Sequence, residues 1–522
     1  MISVVDLFAG PGGLGEGFSA YNAPENNFKI CVSIENDEVA HKTLLLRSFF
    51  RQFNHDHVPD KYYEFVRKPK YRIDELNTLL DGFNEGNAAR KEALCLELGK
   101  NNETIFEKIE ESIRDQITHN LPWVLIGGPP CQAYSLVGRA RNKNKLVDEY
   151  NNRKWSLDTD PRSTLYREYL SVLARFQPAV FIMENVKGML SAKLGNKRVI
   201  DLIMNDLRRP NQIPTFRITP LSGKNYSYKL FSLVRKFNEE SSIEPADFVI
   251  KCEDYGIPQK RHRVIILGIR SDIDSKGNFD VLTAQDEYIP VKKAIYDLPA
   301  VYSNFSSRKK KLSRFDGKLL KYPDWKEMVY DFFSQNDTGD PKTEETIKVY
   351  LNKLKNNSGR KPEFFNPTWF YNERLEGHVC NHEPRTHIRS DFLRYFYVCC
   401  YGKANKTSPR LKDFPDVLLP SHKNIDTDTF VDRFKVQLED QPSKTVTCHI
   451  SKDGHYYIHP DPRQCRSLTV REAARLQTFP DDYFFCGNRT QQYHQVGNAV
   501  PPLLARQIAG IVYQIIEQSG QI

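Results

Sequence analysis

Several features are missing from this chain of 522 residues. Its ten cysteines include no C-x-x-C pair and no regular spacing. Met1 to Phe8 already has the pattern of a strand, so no secretory leader is expected. Together these absences argue against a disulfide framework and for reduced thiols in a cytoplasmic compartment. No apolar run reaches the length of a membrane span, so a soluble protein without a membrane partner is expected. Internal repeats and low-complexity tracts are absent too, which sets solenoid architectures aside. What is present is a composition of 39% hydrophobic and 27% charged residues, that of a globular protein long enough for two or three domains. The formal charge of +9 leans toward a polyanionic partner, a weak signal until the charges can be placed.

Along the chain, "MISVVDLFAGPGGLGEGF" reads as a strand, a glycine-rich turn and the start of a helix, and "FKICVSIEND" as a second strand ending at Glu35. Residues from about 47 to 120 are charged and helix-favouring and read as a helical insertion. "WVLIGGPPCQAYS" is an apolar strand stopped by Pro129 and Pro130, which have no amide hydrogen to continue a sheet ladder. The helix "STLYREYLSVLARF", the strand "AVFIME", a helix through "KRVIDLIMNDLRR" and the strand "KRHRVIILGIR" follow. Alternation of this kind predicts an α/β fold, a mostly parallel, doubly wound Rossmann-like sheet, over residues 1–270. From 271 to 462 the alternation is lost, in favour of short strand-like runs rich in Lys, Arg, Asn, Tyr, Phe and Pro. A second, smaller domain is expected there. Residues 463–522 regain order and return to the first domain, closing on a helix whose Leu504, Ile508, Ile511, Val512 and Ile515 form an apolar stripe.

Chemistry-bearing residues collect at strand ends. Gly10, Gly12 and Gly15 match G-x-G-x-x-G, with Glu35 twenty residues beyond, a pattern that lets backbone approach a ligand and sets a carboxylate on a ribose. Alone, this leaves a dinucleotide and S-adenosylmethionine both open. Cys131, just past the prolines, would sit on the rim where open α/β sheets hold ligands, although a small buried hydrophobe is the commoner fate of a free cysteine. Glu184 ends a neighbouring apolar strand and would share that edge; a surface carboxylate capping a turn is the plainer alternative. Gln259, Arg261 and Arg263 alternate, so a period of two turns all three to one face, as fixed donors or as a solvated ladder. His378, Cys380, His382 and His387 fit no standard pair of zinc ligand pairs, and no metal is expected.

The blocks "DLFAGPGG", "GGPPCQAYS", "MENVKGML", "QKRHRV", "LTVREAARLQTFP" and "QVGNAVPP" resemble, in order, the signature blocks of the cytosine-5 DNA methyltransferases. They cover nearly all of the chain outside the insertion and the variable region. The resemblance implies a catalytic domain over 1–270 and a target-recognition domain over 271–462. It implies S-adenosyl-L-methionine as cofactor, held by Phe8 against the adenine, by Gly10, Gly12, Gly13 and Leu14, by Glu35 on the ribose, and by Asn498 and Ala499. Cys131 would be the nucleophile, Glu184 the group on cytosine N3 and its amino group, and Arg261 and Arg263 the catalytic arginines, with Arg263 touching the base.

Double-stranded DNA is the implied partner, contacted by Gln132, Ser135, Arg139, Arg141 and Gln259 and by the Thr445-Val446 pair. Lys143 and Lys145 continue a basic loop, and a second basic cluster from Ser306 includes Lys309, Lys310 and Lys311. A bacterial restriction-modification setting with a paired endonuclease is implied, and a monomer is expected. The family's third cofactor-contacting acid has no clear counterpart; Asp74 is a candidate. The resemblance also implies thiolate addition at C6, which makes C5 electron-rich, on a base rotated out of the duplex. A transfer-RNA cytosine-5 methyltransferase is the nearest rival, but its Cys-Phe-Thr element is absent. A nicotinamide-dependent oxidoreductase would leave Cys131, Glu184 and the arginines idle.

Overall fold

The computed structural model describes residues 1–22, 27–68, 73–130, 161–194, 196–213, 218–236, 243–273, 279–306, 319, 321–356, 365–420 and 433–520. By internal contacts the chain forms two compact units. Met1–Gly256, Arg261–Asp286 and Ala499–Ile522 make the first; Ile257–Lys260 and Glu287–Asn498 make the second.

The first unit is built on an eight-stranded sheet. Its β1 (Ile2–Leu7) is buried along its whole length, as a central parallel strand covered on both faces must be. On one side lie β2 (Phe28–Glu35) and β3 (Ala93–Cys95); on the other lie β4 (Trp123–Gly127) and β5 (Val180–Val186), all parallel. The strand His262–Arg270 then joins β5 antiparallel, and Tyr228–Phe231 and Val249–Lys251 pair antiparallel with it. Strand order therefore reverses between β1 and β4, and the carboxyl ends of those two strands open the crevice where such sheets bind ligands.

Residues 47–120 are more than a helical insertion. They do hold the end of α2 (Glu38–Arg51), then α3 (Asp60–Val66), α4 (Ile73–Asp81), α5 (Asn84–Glu92), α6 (Asn102–Ser112) and α7 (Arg114–Thr118), but also β3. The helix expected through "NAARKEALCLELG" stops at Glu92, where the chain extends and pairs with Ser33–Glu35. Ile105, Ile109 and Ile113, four residues apart, then lay one apolar stripe on the main core. The segment thus supplies an edge strand and the crossover to β4.

The C-terminal helix Pro502–Gln518 buries the expected stripe. It packs closely on α1 (Gly13–Ser19): a Cβ at Gly17 would lie 2.4 Å from that of Ala505, and one at Gly13 2.3 Å from the Val500 carbonyl oxygen. These two glycines therefore serve close packing rather than turning. Taken as one run, Arg489–Gln518 has the length and hydropathy of a membrane span, contrary to expectation, but 72% of its most apolar window is buried inside the protein and prolines at 501 and 502 interrupt it.

The second unit is largely helical where described, not the set of short strands expected. The helices Trp325–Gln335, Pro341–Asn356 and Arg389–Asn405 share one core. Arg389–Asn405 carries Phe392, Tyr395, Phe396, Val398, Cys399 and Cys400, residue types favoured in strands, all fully buried. A helix surrounded by core can be apolar on every face, and that burial overrides strand propensity. In the same unit Arg466 and Glu472 pair at 2.6 Å, and Glu472 also closes a capping box with Thr469.

Candidate active site

At the carboxyl end of β1 the chain turns through Phe8 (φ 57°), Gly10 (φ 58°) and Gly12 (φ 98°), left-handed conformations that cost glycine little. The turn is tied down from two sides. Gly12 N donates to Ala9 O at 2.9 Å, and Gly10 N donates to Glu35 Oε2 at 2.8 Å. Glu35 Oε1 accepts from Asp37 N at 2.7 Å. Burial pushes the Glu35 carboxyl up, opposed by these backbone donors. Leu14 is buried, whereas Phe8 is half-buried against the core at the sheet rim. A Cβ added at Gly10 would meet no atom of the described residues within 4 Å, so they leave open space over the turn.

Arg261 belongs to this turn rather than to the reacting end. It is fully buried, and its Nη2 donates to Ala499 O at 2.8 Å; the adjoining Val500 carbonyl is the atom against Gly13. Ala499 is buried, and Asn498 is the exposed last residue of the helix Arg489–Asn498.

Glu184 ends the apolar run of β5, and Arg263 Nε lies 2.9 Å from its Oε1. Register explains the pair: Arg263 sits opposite Val186 and Ile265 opposite Glu184, so Glu184 and Arg263 share one face. Both side chains are mostly buried, at 12% and 14% exposure, which strengthens the ion pair relative to a solvated one. Gly128, next to Glu184, leaves it room: an added Cβ would lie 3.1 Å from Glu184 Oε2. Asn185 points to the opposite face and donates to Pro129 O at 3.2 Å, anchoring the prolines just ahead of Cys131. Sequence reasoning missed Asn185; its signal was its place directly after the strand-end acid. Cys252 lies near both arginines, but burial pushes its thiol up to about 12, so it stays protonated and is no rival nucleophile.

Cys131, Gln132, Ser135, Arg139, Arg141, Lys143 and Lys145 lie outside the described residues, as do Lys309, Lys310 and Lys311. Gln259, Arg261 and Arg263 do not share a face. Gln259–Lys260 forms a parallel pair with Ser443–Lys444 in the second unit, Arg261 lies between strands, and only Arg263 is in the main sheet. Gln259, expected at DNA, is fully buried: its amide donates to Leu476 O and Gln477 Oε1 and accepts from Val446 N at 2.6 Å. Thr445 Oγ1 donates to Lys260 O at 2.5 Å. Asp74 lies in the first turn of α4, not at a strand end. The acid just past the carboxyl end of β3 is Glu97. The His378 to His387 group is structural where its contacts are seen: His382 bonds Thr469 Oγ1 and Pro299 O, and Arg471 donates to Cys380 O.

A sheet whose order reverses beside a glycine turn, with an acid and an arginine paired one strand beyond the Gly-Gly-Pro-Pro strand end, is a methyltransferase-like α/β arrangement. A crystal structure of a DNA modification methyltransferase encoded within an Escherichia coli prophage has the same fold, at a TM-score of 0.50 and 18% identity over 99% of this chain and all of that one. The model of the C-5 cytosine-specific DNA methylases matches residues 90–210 and 244–514, and the chain belongs to that family: it is a DNA cytosine-5 methyltransferase. It is 31% identical to the type II methyltransferase M.Bpa9945I of Bacillus paralicheniformis over 98% of this chain and 99% of that protein. It is 26% identical to the DNA (cytosine-5-)-methyltransferase M.ApeKI of Aeropyrum pernix, over 76% and 81% of the two chains.

Proposed function

We propose that the chain methylates one cytosine within a specific duplex sequence, with S-adenosylmethionine as donor and Cys131 as nucleophile. The observation that carries this reading is the Glu184–Arg263 pair, at the end of the strand next to the one that leads into Cys131. The residues of the β1 turn fit the cofactor: the space over Gly10 is open, Phe8 offers a half-buried ring, and Glu35 stands at the end of β2. Glu97, rather than Asp74, takes the place of the third acid. When bound, the cofactor supplies an electrophilic methyl group on a sulfonium.

The chain's own residues do the rest. C5 of cytosine is a poor nucleophile until the Cys131 thiolate adds at C6. Glu184 holds N3 and the amino group, and Arg263 holds both Glu184 and the base, so charge developing on the ring meets fixed partners. After C5 takes the methyl group, loss of its proton expels the thiolate and restores the ring. Arg261 acts as a positioning residue behind the cofactor turn. The first unit is the catalytic domain and the second the target-recognition domain; the protein works as a cytoplasmic monomer beside a partner endonuclease. The target must leave the base stack to reach such a site.

Bisulfite sequencing of DNA from cells expressing the chain tests the reading. Methylcytosine at one fixed sequence context is expected, and its absence in cells making folded protein overturns it. Cys131→Ser should abolish the mark.

A further inference from the structure

Away from the strand ends that carry the active site, the first unit has a second concave site. Among the described residues β3 pairs with Ser33–Glu35 alone, and none of them forms a further strand along the amino half of β2. A cleft of about 670 Å³ opens there, the size of a small-ligand site. Ala88 and Leu94 contribute apolar lining, and Ile30 and Val32, only 4% and 2% exposed, add little to it. Five cations surround them, Lys29, Arg90, Lys91, Lys108 and Arg114, against two acids, Glu92 and Glu111.

The acids are already engaged. Glu92 faces inward to Arg51 at 2.5 Å and Gln52 at 2.9 Å, and Glu111 pairs with Lys108 at 2.8 Å. Arg90 is held by Asp81 at 2.6 Å. Lys29, Lys91 and Arg114 are exposed and make no ion pair among the described residues. Like charges converging on a concave surface repel one another and concentrate anions.

An open strand edge could instead recruit an extended peptide, but this edge discourages pairing. Its register with β1 breaks between Val4 and Val5, skipping Cys31, and Lys29 projects from it. We propose that the cleft binds a nucleotide-sized polyphosphate ligand, with phosphates on Lys29, Lys91 and Arg114 and a flat apolar group on the lining. Six residues of strand separate Lys29 from Glu35, roughly 20 Å, so the Lys29 end of the cleft is remote from the cofactor turn, which Leu94, opposite Ile34, approaches most closely.

Calorimetric titration of the full chain with sodium tripolyphosphate at low salt tests the proposal, because that probe has no nucleoside to enter the cofactor pocket. Saturable binding is expected, tighter with ATP and undiminished by S-adenosylmethionine. Combined Lys29→Glu, Lys91→Glu and Arg114→Glu should weaken it by about tenfold or more at an unchanged melting temperature. If that variant misfolds, Lys29→Gln, Lys91→Gln and Arg114→Gln should show the same direction. Absence of tripolyphosphate binding, or binding indifferent to these changes, overturns the proposal. So does loss, in the same variants, of binding to a single-stranded oligonucleotide with no effect on tripolyphosphate, which would make the surface a track for nucleic-acid backbone.

Discussion

Replacing Asp6 with Asn should make the protein less sensitive to alkaline pH. Asp6 lies in the middle of the sheet on β1, fully buried, and burial pushes its carboxyl up to about 8. Arg51 pulls the other way, and Glu35 and Glu92 add to the rise. In the unfolded chain an aspartate titrates near 4. Between those two values the folded state holds a proton that the unfolded state has released, so stability is fully present below about 4 and is lost as pH rises toward 8. The loss approaches about 1.4 kcal/mol per pH unit and tapers at the folded value, giving about 2 kcal/mol between pH 6 and pH 8. At about 2 °C per kcal/mol for a large unit, that is roughly 4 °C. Asn copies the shape and neutrality of the protonated acid, so the variant lacks this term while sharing every other titration. Differential scanning calorimetry of both proteins at pH 6 and pH 8 should show the wild-type melting temperature falling about 4 °C further than that of the variant. Parallel falls would refute a neutral Asp6.

Duplex DNA carrying 5-fluorocytosine at the methylated site should trap a denaturation-resistant adduct, since fluorine cannot leave C5 as a cation; peptide mass should place it on Cys131, and Cys131→Ser should form none. Gly13→Ala should weaken S-adenosylmethionine binding in calorimetry, because the new Cβ falls 2.3 Å from a backbone oxygen that cannot move independently. Overpacking of that kind costs about 1–3 kcal/mol, and unchanged affinity would count against the packing role of Gly13. Arg261→Met and Arg263→Met should separate: the first strips the buried Ala499 carbonyl of its donor and should raise KM for the cofactor and lower Tm. The second removes the counter-cation of Glu184 and should lower kcat about a hundredfold. Equal kcat losses in both would merge the two roles.

Much of the fold was legible because its core strands are continuous apolar runs ended by Gly, Pro or an acid. The β4 stop at Gly127 follows from that rule, whereas β5 runs past the acid at Glu184 to Val186, because Asn185 and Val186 still pair with Val264 and Arg263. β3 was not legible: Ala93–Cys95 is three residues long and follows helix formers, and only the neighbouring edge of β2 makes it a strand. The aromatic helix Arg389–Asn405 was missed for the opposite reason, since a pattern apolar on all sides carries no period. At the site, acid and arginine types were legible but their grouping was not. A period-two argument for Gln259, Arg261 and Arg263 needs one unbroken strand, and here a sheet of the second unit takes Gln259 while Arg261 falls between strands.

The neutrality of Asp6 follows first from its burial, which the charges beneath the cofactor turn do not undo. Glu16, on α1 directly after that turn, takes Arg47 through two contacts, Nε at 2.9 Å and Nη2 at 2.5 Å. Arg51 reaches Glu92 at 2.5 Å and Glu16 at 3.7 Å. All four side chains are nearly or fully buried, so the cluster tolerates little net charge. Two guanidinium groups already balance two carboxylates; Arg51 still draws the Asp6 carboxyl down, but burial outweighs that pull and Glu35 and Glu92 oppose it. Asp6 therefore keeps its proton. The same arithmetic explains why α1, only seven residues long and without a side-chain N-cap, holds a fixed place. Ion pairs anchor it to α2 from one side, and from the other Gly17 packs on Ala505 of the C-terminal helix and Gly13 on Val500 just before it. A turn that must keep open space over Gly10 is thus held by the rigidity of the helix behind it.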